Sequence, residues 1–420
     1  MPAGAKASRR PRVVPTRLTL LISIVSFFSV ALLLLRPKER VSLRDPAVAR
    51  GRTTAAASFW RLVGWPTRAD RDADFARGLD AWDAHLSNAT PAVLLALAPV
   101  GAAVPKRTLV VYAYAHAAWR EDNLDYFLRY GLVERTDDGA DVDYTIVFNG
   151  GDAPVDIFET LGIAHETVHL KPGHAGEDLD ADRGARGGES ARTRVTPGPR
   201  VLLVVRDNSG YDMCASKIVL ERGLAPRPGS YTHVVLMNGS VRGPFMPSYV
   251  SSSWIDAFQQ FLVGGVKLVG TTINCLSSKR DDTAGFSSLH VQSMVLATDA
   301  EGARAMQPVL QCYDERNEAV SHGEIGATQA LLRAGFGVAA LQHSWRGSPI
   351  FLRDLAAPEV AERCALVSES MGGDPSWPGV YLGGEPHALE LIFIKTNREL
   401  DARWIEGVRK FRRAVEGRKG

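Results

Sequence analysis

Four runs dominated by apolar residues constrain this chain more than any other feature. They are Thr108–Tyr114 (TLVVYAY), Tyr144–Phe148 (YTIVF), Val201–Val205 (VLLVV) and Tyr231–Met237 (YTHVVLM). A strand with one wet face alternates apolar and polar residues, and these runs do not. They suit strands covered on both faces, as in sheets flanked by crossover helices. Helical patterns separate them at about Asn123–Gly131 and Asp156–Leu161 and from Asp212 through Leu220. Further strands are expected at Thr167–Lys171, Val266–Thr271, His290–Thr298 and Gly337–Leu341. Further helices are expected at Ser253–Leu262, Glu301–Cys312 and Gly323–Arg333. The expected fold class is α/β, a mostly parallel sheet with helices on both faces.

One longer apolar run stands apart. Leu18–Leu35 (LTLLISIVSFFSVALLLL) has no charged residue and is long enough to span a thin bilayer as a helix. A cleaved signal peptide is the rival. However, Arg36-Pro37-Lys38 follows the run where a small-residue cleavage site would stand. Basic residues are balanced across it, five in residues 1–17 and five in 36–50. A short leading segment before a long domain normally stays cytoplasmic. The expected layout is a cytoplasmic tail (1–17), a transmembrane signal-anchor (18–35), a stem (36–105), a globular domain (106–400) and a basic C-terminal helix (401–420). Within the domain, 172–199 is rich in Gly, Arg, Asp and Glu without apolar periodicity, and is expected to be a disordered insertion. The acid-free, Arg-rich start also suits a transit peptide, so an organelle remains the alternative destination to the Golgi or endoplasmic reticulum membrane.

Charge excludes one class of partner. The formal net charge is +2, yet residues 1–38 hold seven basic residues and no acid, which leaves 2 − 7 = −5 for the rest. A basic nucleic-acid-binding surface is therefore not expected. The cysteines Cys214, Cys275, Cys312 and Cys364 show no CxxC spacing, so a structural zinc site is not indicated. Disulfides and buried free thiols both remain open.

Ligands in open α/β sheets bind beyond the carboxyl ends of the strands. Two segments are placed there. In Arg206–Asp212 (RDNSGYD), Gly210 permits a tight turn, and Asn208 and Asp212 can bond sugar hydroxyls; the rival is a plain turn with Asp212 capping the next helix. In Met237–Phe245 (MNGSVRGPF), Asn238 and Ser240 offer neutral ligands, Arg242 can clamp a diphosphate, and Gly243 shapes the backbone before Pro244. His290 and Gln292 would share one strand face and could line a cleft, unless His290 is structural. His387 and Glu390, three apart, would share a helical face, with Lys395 in reach of a phosphate; a surface ion pair is the rival. Ser321 and Glu324 have capping-box spacing at the start of their helix. No GxxxxGK[ST], HExxH, GxSxG or strand-following GxGxxG pattern occurs.

The order RxNxGxD, LMNxSVxGPF, VKLVGTTIN, HVQSMVLATD and HxxExIFIKTNR resembles a group of glycosyltransferase-like proteins related to the rhamnan-synthesis type of polysaccharide-building proteins. The resemblance covers roughly Lys106–Arg398. It implies a GT-A-like fold and a nucleotide-sugar donor. It places Asn208, Gly210 and Asp212 at the donor, and Asn238, Ser240, Arg242 and Gly243 in the loop where many such enzymes carry a metal-binding Asp-x-Asp. Here that loop reads Asn238-Gly239-Ser240, without a carboxylate, which leaves dependence on a divalent metal open. Asp141-Val142-Asp143 has the motif's letters but is expected to precede its strand, at the wrong end for a ligand.

These observations lead to one expectation. The chain is a type II membrane glycosyltransferase, with a glycan or glycoprotein acceptor and Glu324 as candidate general base. His290, Gln292, His387, Glu390 and Lys395 are candidate acceptor or phosphate contacts. The alternative is a non-catalytic carbohydrate-binding or scaffolding protein on a degenerate transferase fold.

Overall fold

The computed structural model describes residues 94, 96–101, 103–170, 198–275, 289–367, 373–398, 405–408, 410, 411 and 414. The expected tail, anchor and most of the stem lie outside the described residues, as does the insertion up to 197. Among the described residues, no helix is long and apolar enough to cross a membrane.

An eight-stranded sheet organises the domain. Its strands are β1 (Arg107–Ala115), β2 (Asp141–Asn149), β3 (His165–His169), β4 (Arg200–Arg206), β5 (His233–Asn238), β7 (Val266–Gly270), β10 (Val295–Asp299) and β11 (Gly337–Ala340). The order across it is β11-β7-β10-β5-β1-β2-β4-β3. Pairing is parallel except at β10, which runs antiparallel to both β5 and β7. The apolar runs behave as their composition requires. Along β1, Leu109, Val111 and Ala113 enter the core on one face, while Val110, Tyr112 and Tyr114 enter the core on the other. Neither face meets water, so the period-two signal of a half-wet strand has no reason to exist.

Helices α1 (Ala118–Tyr130), α2 (Val155–Thr160), α3 (Tyr211–Arg222), α4 (Trp254–Gln259) and α5 (Ala300–Met306) fill the crossovers. Their ends follow local chemistry. The Ser253 side chain caps α4 by accepting from Asp256 N, and Asp299 caps α5 by accepting from Glu301 N and Gly302 N. Gly223 closes α3 in the left-handed conformation, its N–H donating to Val219 O.

Several expectations change. His290–Thr298 is not one strand: β9 (His290–Val291) pairs with β8 (Ile273–Asn274), and the chain then turns into β10. Asp141 and Asp143 do not precede β2 but open it. Asp143 is buried there and accepts from Arg227 Nε at 2.7 Å and Tyr231 Oη at 2.6 Å. The helix of Ser321 and Glu324 starts earlier, at Arg316, and passes through a π-helical stretch (Ala319–Ile325) into α6 (Gly326–Arg333). There is consequently no capping box: Ser321 Oγ donates back to Asn317 O at 2.8 Å, inside the helix. The packed core also begins before Lys106. Leu94, Ala96, Leu97 and Ala98 are buried, and Ala96 and Ala98 bond backbone to backbone with Leu220 and Tyr231. All the cysteines are paired, as Cys214–Cys312 and Cys275–Cys364.

Candidate functional site: a charged cleft at the switch point

From β1 the chain builds outward through β2 and β4 on one side, then returns to place β5 on the other. The carboxyl ends of β1 and β5, paired as far as Ala113 and Asn238, therefore mark the switch point, where a doubly wound sheet holds its ligand. A cleft of about 350 Å³ lies there. Its walls come from the end of β1 (Ala113, Tyr114, Ala115), the end of β2 (Asn149), the loop after β4 (Asn208, Tyr211, Asp212) and the loop after β5 (Asn238, Gly239, Ser240). Ser293 and Met294 precede β10, whose antiparallel sense brings its start to this edge. Glu324, Arg120, Lys395, Asn397 and Arg398 complete the lining.

The two loops singled out from sequence are joined. Asn238 Nδ2 donates to Asp212 Oδ2 at 2.7 Å, and Asn238 Oδ1 accepts from Ser240 N at 3.1 Å. The loop after β4 is anchored by Arg206, which is buried and donates to Asn149 Oδ1 at 2.7 Å and Ser209 Oγ at 2.8 Å. Gly210 has φ 69°, and a Cβ there would lie 2.7 Å from Cys214 Cβ and 2.8 Å from Cys312 Cβ. The loop thus rests on a disulfide, and only glycine fits.

Glu324 faces this cleft from the π-helical stretch. A π turn widens a helix by one residue and recurs at functional sites. Burial pushes the Glu324 carboxyl up from its ordinary range and the negative charge of Asp212 adds to that, while Lys395 and a hydrogen bond with Ser293 oppose it. A carboxyl shifted upward inside a cleft, with a cation lining the same space, is a candidate for exchanging a proton with a ligand.

Lys395 belongs to β12 (Ile394–Lys395), which pairs with β6 (Val241–Arg242). Its Nζ lies 3.9 Å from Asp374 Oδ2, and Arg398 Nε donates to the same oxygen at 3.0 Å. Burial raises the Asp374 carboxyl, but Lys395, the Ser376 N–H, Arg398 and Gln292 together outweigh it and hold it at about 2. Asp374 is thus a fixed anion that orients two cations of the cleft. Sequence reasoning missed it, because no local motif marks it and its partners lie at Gln292, Lys395 and Arg398.

Other candidates stand elsewhere. Arg242 is buried, donates to Asn123 Oδ1 at 2.9 Å and lies 3.4 Å from Asp122; it braces α1 rather than lining the cleft. Gly243 is required by packing, since a Cβ would lie 2.5 Å from Ile392 O. His290 is buried in β9. Gln292 does not line the cleft but braces it, donating to Asp374 Oδ1 at 3.0 Å and accepting from Thr272 Oγ1 at 2.6 Å. His387 and Glu390 do not act as one face. His387 caps a four-residue helix, and Glu390 accepts from His343 N at 2.6 Å. Besides Asp374, the residues absent from the sequence-derived set are Tyr114, Arg120, Asn149, Tyr211, Ser293, Met294, Asn397 and Arg398. Asn397 and Arg398 end the HxxExIFIKTNR segment, which was the available signal for them.

A second cavity, of about 600 Å³, lies at the amino ends of the strands, lined by Arg107, Arg135, Asp141 and Arg227 among others. It is the larger one, yet Arg107 and Arg227 are bonded to Asp143 and Arg135 to Asp141. The switch-point cleft is the better candidate, because it lies at the carboxyl edge of the strands, where a doubly wound sheet holds its ligand.

The cleft's donor set does not suit a divalent ion. Asp374 is neutralised by Lys395 and Arg398, Asp212 is bonded by Asn238, and the loop after β5 offers only neutral oxygens. Among the described residues, no group of three or more His, Cys, Asp or Glu is placed to hold a metal.

No family model matches the chain, and no curated protein does. Solved glycosyltransferases are distantly similar in structure. A mannosyltransferase from Pyrobaculum calidifontis, in complex with GDP-mannose and Mn2+, aligns with 13% identity over 64% of this chain and 63% of its own, at a TM-score of 0.30. The bifunctional glycosyltransferase WbbM, in its apo form, aligns with 8% identity over 60% of this chain and 40% of its own, at 0.29. Apo mouse xyloside xylosyltransferase 1 aligns with 10% identity over 71% of this chain and all of its own, at 0.31. At these scores the likenesses carry no argument about chemistry, and the functional reading rests on the cleft.

Proposed function

We propose that the chain is a single-pass type II membrane glycosyltransferase of GT-A-like fold, moving a sugar from a nucleotide-sugar donor to a glycan or glycoprotein acceptor. The observation that carries this reading is that Glu324, its carboxyl pushed up by burial, and Lys395 line one cleft at the sheet's switch point. In a single displacement, Glu324 takes the proton of the acceptor hydroxyl. That oxygen bonds to the anomeric carbon, and the bond from that carbon to the diphosphate oxygen breaks. The departing nucleoside diphosphate carries away the electron pair, and Arg120, Lys395 and Arg398 meet its charge. No step needs a metal. Asn238 and Ser240 are suited to the donor's hydroxyls. The apolar run Leu18–Leu35 and the two disulfides support a lumenal domain in the Golgi or endoplasmic reticulum, because disulfides persist in oxidising compartments.

One observation favours a second reading. Asn238-Gly239-Ser240 stands where many such transferases carry carboxylates, as a non-catalytic carbohydrate-binding protein on this fold would allow. A panel of nucleotide sugars separates the two. The transferase reading expects one donor to raise the melting temperature, because a ligand that binds only the folded state stabilises it. It also expects Glu324→Gln to lower transfer by roughly 10²–10⁴-fold with donor binding kept. Binding of glycans without turnover of any donor would favour the second reading and refute the first.

A further inference from the structure

Among the described residues, three that are not glycine hold a positive φ: Tyr211, Leu382 and Ile392. For such residues the left-handed region crowds Cβ against the following carbonyl, so the conformation needs compensation. Ile392 has it, being buried in the core with its carbonyl accepting from Phe245 N. Leu382 has a backbone bond, its N–H donating to Leu366 O. Tyr211 has neither. Its φ is 59°, directly after Gly210 at 69°, and the residue is 42% exposed. Its side chain makes no hydrogen bond and no ring contact among the described residues. Among the described residues no side-chain contact of Tyr211 offsets the strain, and residues held in such conformations cluster at ligand sites.

The position of the ring says which part of a ligand it suits. Tyr211 lines the cleft beside Asn208 and Asp212. Other lining residues are far less exposed than Tyr211: Ser293 is 7% exposed and the Lys395 side chain 13%. Charged and hydroxyl-bearing groups therefore find partners at depth, and a bare aromatic face waits at the mouth. A nucleotide sugar has a matching order, with sugar and diphosphate at one end and a neutral planar base at the other. Aromatic side chains stack on bases because every base presents a π face. We propose that Tyr211 is the stacking platform for the base of the nucleotide donor. The inference rests on the transferase reading and adds a specificity-determining contact that the motif residues around it do not supply.

The test titrates the full-length chain in detergent with UDP, GDP, CDP, ADP and dTDP, and separately with inorganic diphosphate, by calorimetry. Three forms are compared: wild type, Tyr211→Phe and Tyr211→Asn. Phe keeps the ring, whereas Asn tolerates the left-handed turn without it. The preferred nucleotide should bind Tyr211→Phe with little change and Tyr211→Asn roughly five- to a hundredfold more weakly. Inorganic diphosphate should bind all three alike. Without ligand, Tyr211→Asn should melt at or above the wild-type temperature. Unchanged nucleotide affinity in Tyr211→Asn overturns this inference and leaves the transferase reading intact. So does an equal loss for inorganic diphosphate, or a clear fall in unliganded melting temperature, since either makes the ring structural. A wild-type chain that binds no nucleotide overturns both readings.

Discussion

Removing the two disulfides one at a time separates stability from site geometry. The Cys214–Cys312 bridge closes a separation of 98 residues and the Cys275–Cys364 bridge one of 89. In the chain-entropy account, a cross-link stabilises by limiting the unfolded chain, and a loop near this size is worth roughly 4–5 kcal/mol. The dependence on length is logarithmic, so the two loops differ by only ~0.1 kcal/mol. Cys214→Ala with Cys312→Ala and Cys275→Ala with Cys364→Ala should therefore destabilise by similar amounts in guanidinium unfolding. Their effects on the site should differ. The first bridge lies directly beneath Gly210, with a built Cβ only 2.7 and 2.8 Å from the two cysteine Cβ atoms. Removing it takes away the floor of the loop that carries Asn208, Tyr211 and Asp212. Neither Cys275 nor Cys364 lines the cleft. Nucleotide affinity, measured well below each variant's transition, should fall in the first double variant and hold in the second. Equal losses in both, or a larger loss in the second, would refute the view that this bridge supports the donor loop.

Further outcomes follow from other contacts. Asn238→Ala removes the bond that joins the two loops and Asp212→Asn takes away its charge, and each should reduce turnover roughly ten- to a hundredfold in a transfer assay while folding survives; chelator should leave wild-type turnover unchanged. Burial raises the Glu324 carboxyl in the folded chain, so its contribution to stability falls as pH rises above the unfolded value and levels off above the folded one. Glu324→Gln removes that slope, so its melting temperature should gain on wild type as pH rises above about 4, where ordinary carboxyls ionise; a constant offset would show that the carboxyl is not elevated. In sealed microsomes, a C-terminal tag should resist protease and an N-terminal tag should be clipped, and the reverse pattern would end the type II reading.

The sheet was legible in the sequence because burial on both faces is written into consecutive residues. TLVVYAY and VLLVV need no distant partner to show that no face of theirs meets water. The two loops after β4 and β5 that line the cleft were legible for a related reason. Each directly follows an apolar strand, and a parallel sheet sends every such end to one edge. Distant pairing was not legible. Four cysteines admit alternative pairings, and only the fold brings Cys214 against Cys312. Asp374 looks like an ordinary loop residue until Gln292, Lys395 and Arg398 converge on it. Glu324 stood between a general base and a helix cap, because its spacing to Ser321 matches a capping box, a local pattern that helix interiors can mimic. Packing extended the helix back to Arg316 and turned that carboxyl into the cleft. Local spacing determines which elements form and where their ends point. The charge state of a side chain depends on its neighbours in space, and those only the tertiary structure chooses.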